Sequence, residues 1–69
     1  MLDDIKERIK ANINRRVRIV VSGMRNHKEI IEGEVISCLP NVFVVNSRGL
    51  NRSFSYADVL IGDVVVTYL

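Results

Sequence analysis

Few residues in this chain could do chemistry. Cys38 is the only thiol and His27 the only imidazole in 69 residues. A thiol–imidazole pair could make a nucleophile, but Cys38 continues an alternating apolar run and reads as a buried, inert thiol. His27 sits in a polar stretch and reads as a solvated turn residue. With one Cys and one His, neither an internal disulfide nor a Cys/His metal site can be assembled. Glu29, Glu32 and Glu34 alternate along one segment. They could gather a cation, but pairing with Arg16, Arg18 or Lys28 across strands explains them more simply. Gly23 begins no phosphate-loop pattern. The residues therefore argue against an enzyme, and no cofactor is expected.

Charge is more informative. The net charge is only +2, yet residues 1–28 hold eight Lys/Arg against three Asp/Glu, and residues 29–69 hold two against five. Such asymmetry suits a polyanion or an acidic partner near the first half, or simply a solvated helix face followed by a charged strand. If a phosphate backbone is the partner, the contacts would come from Arg15, Arg16, Arg18, Arg25 and Lys28, with Arg48 and Arg52 in support. Only two Phe and two Tyr are present. Phe43, Phe54 and Tyr68 are needed for the core, so little remains to stack on bases.

The elements that must position these residues follow from periodicity. Leu2, Ile5, Ile9 and Ile13 mark one face of a helix, residues 1–13. Asp3 or Asp4 caps its start, and the asparagines after Ala11 stop it. From Arg16 the period becomes two: Val17, Ile19 and Val21 against Arg16, Arg18 and Val20. "GMRNHK" breaks the run and suits a turn or exposed loop. "EIIEGEVISC" is a long strand with Gly33 at its middle, where a bend is expected. "NVFVVN" should be buried on both faces. "SRGLN" is a short hairpin loop with Gly49 free for positive φ. "RSFSY" and "DVVVTY" are strands four and five.

Residues 15–69 thus read as five short strands. They can bend and close on themselves into a small SH3-like or Sm-like barrel behind an N-terminal helix, a mainly β, single-domain fold. The polar corner "SYADVL" before the last strand reads as a 3₁₀ turn. Tyr56 and Asp58 are then structural, with Asp58 accepting from nearby amides while Val59 and Leu60 plug the barrel end.

"PNVFVV", "RSFSYADVL" and "DVVVTYL", with "IKERI", the Arg15–Arg16 pair, "GMRNHK" and "EGEVI" upstream, resemble the Veg family of small bacterial proteins over nearly the whole chain. That resemblance implies a small cytoplasmic regulatory protein without enzymatic activity, linked to gene expression and to stimulation of biofilm formation. It carries no set of functional residues onto this chain. Sm proteins share the helix-then-five-strands order, but "SCLPNVFVVN" lacks their Asp-x-apolar-Asn element. Arg48–Gly49 precedes strand four, where an Sm Arg-Gly pair would follow it.

The expectation is a regulator acting through a protein partner; the alternative is a nucleic-acid-binding regulator making non-specific backbone contacts through its basic half. No segment approaches the roughly 20 apolar residues of a membrane span. A chain this small, without disulfide or metal, is expected to gain stability as a homodimer.

Overall fold

The computed structural model describes residues 2–24 and 27–69, except for the side chains of Gly23, Met24 and His27. The order is α1 (Leu2–Ala11), β1 (Arg16–Met24), β2 (His27–Cys38), β3 (Val42–Ser47), β4 (Leu50–Ser55), α2 (Tyr56–Ile61) and β5 (Val64–Tyr68). All five strands form one antiparallel sheet in the order β4-β3-β2-β1-β5. The mainly β reading holds. The ladder is an open one, however: among the described residues no pairing joins β4 to β5.

The sheet curls because β2 changes partners at its centre. Residues 29–34 pair with β1 and residues 34–38 with β3. Gly33 stands at the change of partner. A Cβ there would overlap the backbone carbonyl of Asn46, so only glycine allows β3 this close. The curl has a direct marker. Glu29 on β2 and Arg52 on β4 lie on strands separated by β3, yet their side chains bond across the inner side at 3.0 Å.

Period-two alternation decides what is buried. Val17, Ile19, Ile31, Val35, Phe43, Val45, Phe54 and Val64 face inward and form the core with Ile9 of α1. The helix docks by Ile9, which is wholly buried, while Ile5 and Ile13 are partly so and Leu2 stays exposed. Asn14 turns the chain into β1 with φ 71°, its N–H donating to the Val35 carbonyl at 2.6 Å. At the β3–β4 hairpin, Arg48 and Gly49 take φ 53° and 82°, the paired positive values of a tight two-residue turn.

Several expectations need correction. The chain at "GMRNHK" is mostly strand, since β1 runs to Met24 and β2 starts at His27; only Arg25 and Asn26 intervene, and they lie outside the described residues. "NVFVVN" buries one face fully and the other by half, because only one side of the sheet is covered. The corner is an α-helix of six residues and not a 3₁₀ turn. Its cap is Ser55, whose hydroxyl accepts from the Ala57 N–H at 3.1 Å; no hydrogen bond to the Asp58 side chain is found among the described residues. Gly62 ends it at φ 91°. Val59 packs on the core, but Leu60 is exposed and plugs nothing.

Candidate functional site

The described basic residues singled out from the sequence lie on β1, on β2 and at the junction of α1 and β1. Arg16 and Arg18 are successive outward-facing positions of β1, and register puts Glu34 and Glu32 opposite them on β2. Glu32 takes both: Arg18 Nε lies 3.3 Å from its Oε2, and Arg16 Nη2 lies 3.7 Å from its Oε1. Lys28 is exposed on β2. Arg15 is exposed at the junction of α1 and β1, where its carbonyl accepts from the Val35 N–H. Arg25 lies outside the described residues. The outer face is therefore a band of mixed charge, extended by Asn46 and Asn51, whose amides bond to each other at 2.9 Å. Of the three glutamates, Glu32 makes the cross-strand pairs expected from the sequence, while Glu34 has no ion pair among the described residues. The partner of Glu29 was not legible from the sequence, because Arg52 reaches it through the curl.

Glu29 and Arg52 form a two-pronged pair. Hydrogen bonding to Arg52, reinforced by its charge, holds the Glu29 carboxyl below the usual carboxylate range, and Glu29 raises the guanidinium in return. The pair lines a groove between β2 and the β3–β4 hairpin. Ile30 and Leu50 stand in its walls, 64% and 70% exposed. Ser47 closes its floor by donating to the Glu32 carbonyl at 2.8 Å.

Tyr56, which ends the RSFSY alternation on the same side as Phe54 and opens the SYADVL corner, is the keystone of the covered side. It is 3% exposed. Its ring lies 5.6 Å from that of Phe43, which in turn lies 5.7 Å from Phe54. Its hydroxyl donates to the Leu39 carbonyl at 2.8 Å, tying α2 to the β2–β3 turn. Lys6 of α1 covers the ring with its ammonium 5.9 Å from the centroid. Burial, with the neighbouring Cys38 thiol, pushes the phenol up to about 12. Cys38 is half-buried against the core.

A smaller cleft of about 190 Å³ opens between α1, α2 and β5, lined by Asp4, Ile5, Arg8, Val59, Val66 and Tyr68. Burial raises the Tyr68 phenol, and the Arg8 charge partly offsets that. Among the described residues no three of His, Cys, Asp and Glu gather to hold a metal ion, and no helix is long and apolar enough to cross a membrane. The arrangement offers surfaces for contact.

The family model "Biofilm formation stimulator VEG" matches residues 1–67, so the chain belongs to that family. It is a family of small regulatory proteins that stimulate biofilm formation and is not a known enzyme family. Among curated proteins, none matches the chain significantly.

Proposed function

We propose that this Veg-family protein regulates gene expression in biofilm formation by binding a protein partner, without catalysing a reaction. One observation carries the reading. The charged side chains of the sheet are largely paired with one another, whereas large apolar side chains stand exposed beside them. Arg16, Arg18 and Arg52 each meet a glutamate. Ile30 and Leu50 flank the groove, and Ile61 of α2 is 67% exposed. Apolar side chains rimmed by polar ones suit a protein surface. They give a phosphate backbone nothing to hold.

Nucleic-acid binding is the second reading, supported by the cations of the first half that have no carboxylate partner among the described residues, Arg15 and Lys28 in particular. Against it stands the aromatic inventory. Phe43, Phe54 and Tyr56 are buried and Tyr68 is partly so, which leaves no platform for bases.

The test uses the full chain immobilised and exposed to host extract with and without nuclease, followed by reconstitution with the purified captured protein. Direct binding that survives nuclease and is weakened by Leu50→Glu supports the reading. Sub-micromolar, sequence-selective shifting of a DNA or RNA probe that is lost in Arg15→Ala/Arg16→Ala would replace it. In that case each phosphate contact removed should lower the log–log salt slope by about 0.9 on duplex DNA.

A further inference from the structure

The two edges of the sheet are built differently. β4 carries Arg52 between Asn51 and Ser53, and the Glu29 bond draws it against the rest of the molecule. β5 reads VVVTY. It contains no charge, no proline, no glycine and no bulge, which are the usual devices that protect an exposed edge.

Its free groups can be identified from the register. Leu69 N–H donates to the Arg16 carbonyl and Ser22 N–H to the Asp63 carbonyl. Hydrogen-bonded pairs alternate along an antiparallel ladder, so Val65 and Thr67 bond to β1. Val64, Val66 and Tyr68 consequently turn their N–H and C=O groups outward. Among the described residues no other backbone group takes them.

We infer that β5 is a dimer edge: a second copy of this chain pairs its own β5 antiparallel to it, about a two-fold axis at Val66, making one ten-stranded sheet. The edge is self-complementary. With Val66 opposite Val66 of the second copy, Val64 meets Tyr68 and all the outward groups of the strand are satisfied at once. The uncharged strand opposes nothing like-charged across the axis. Its ends are complementary in charge: Asp63 precedes β5, and Arg16 lies beside Leu69 on β1. Antiparallel pairing brings Asp63 of each copy to the Arg16 end of the other, two strand spacings or roughly 10 Å away. It also sets Val65 against Thr67 on the outer face, so that the row of exposed Ile30, half-buried Val20 and exposed Val65 runs on into the second molecule. A two-fold interface of this kind closes on itself and stops at two.

The test is made on the full chain. Sedimentation equilibrium should give a dimer. Amide exchange followed by NMR should show Val65, Thr67 and Leu69 protected at all concentrations, and Val64, Val66 and Tyr68 protected increasingly as the dimer forms. Asp63→Lys is on an exposed side chain and should leave the circular dichroism unchanged while raising the dimer Kd by about tenfold or more. Adding Arg16→Glu to Asp63→Lys should restore the affinity. Val65→Lys, also at an exposed position, should yield a folded monomer. A monomer at high micromolar concentration would overturn the inference. So would a dimer whose Val64, Val66 and Tyr68 amides stay fast, or a dimer indifferent to Asp63→Lys. A series of larger assemblies with Asn51 and Ser53 protected together with β5 would instead show β4 pairing with β5, and would equally overturn it.

Discussion

The two faces of the curled sheet are made from the same strands and differ in almost everything else. Buried inward positions are Val, Ile and Phe, sealed by Ile9 from α1 and Tyr56 from α2, and only the Glu29–Arg52 pair brings charge to the rim of that side among the described strand residues. Outward positions alternate with them residue by residue and carry Arg16, Arg18, Glu32 and Glu34. The inner face is continuous and fixes the shape. The outer face contributes little to stability and is free to specify contacts. A small protein can therefore change partners without changing fold, provided substitutions keep to the outward register.

The sharpest way to test this contrast is to open the inner face. Phe43 is wholly buried and touches both other buried aromatic rings. Phe43→Ala should cost about 3–5 kcal/mol, read as a lower urea midpoint. A loss under about 1 kcal/mol would mean that the aromatic cluster does not hold the fold. Gly33→Ala comes next. The added methyl meets backbone of Asn46 and Ser47, which cannot swing aside as a side-chain tip would. About 1–3 kcal/mol should be lost by overpacking, and the Glu29–Arg52 pair should loosen as β2 straightens.

Alkali offers a route that leaves the sequence intact. The Tyr56 phenol has its folded-state value raised to about 12, above the ordinary value near 10. The neutral form is the one that fits the fold. Its contribution is fully present below pH 10 and is lost as pH rises toward 12, because the unfolded chain ionises first. Thermal melts should fall across that window, and less steeply in Tyr56→Phe, where no proton can leave. The helix corner should respond more gently. Ser55→Ala removes the cap and should cost about 1 kcal/mol, with Asp58→Ala costing less. Equal effects would return the capping role to Asp58. The smallest change belongs to the outer face. Arg18→Ala should move the unfolding free energy by less than about 1 kcal/mol, since the Glu32 pair is exposed to water.

Most of the fold was legible because its signals are local. The switch from a period of about four to a period of two marks the end of α1, and Gly49 marks the hairpin. Glu32 opposite Arg18 follows from counting along two adjacent strands. What was hidden depends on the third dimension. The RSFSY alternation sets Tyr56 on the Phe54 side, but period two cannot be carried through a helix, so its place at the start of α2 as the lid of the core was not legible. Asp58 was expected to accept from the amides of the corner, but Ser55 stands at the point where the extended backbone ends and takes that role. Arg52 looked free for phosphate, and only the bend at Gly33 brings Glu29 to it.

Strand β1 lies between β2 and β5, so the first strand of the chain is completed by the last. During synthesis Arg16–Met24 leaves the ribosome with only half of its neighbours in existence. The hairpins β1–β2 and β3–β4 can form early, since their contacts are near in sequence and loop closure is fast. Until residues 64–68 arrive, β1 shows an unpaired edge, and Ile19 and Val17 lack the cover of Val66 and Tyr68. Translation that stalls in the last turn of α2 would therefore leave a chain with an adhesive strand and a core that lacks Val64 and the cover of Val66 and Tyr68. The same dependence makes β5 a quality gate: a nascent molecule gains its cooperative stability only when that strand, the final element of the sheet, takes its place.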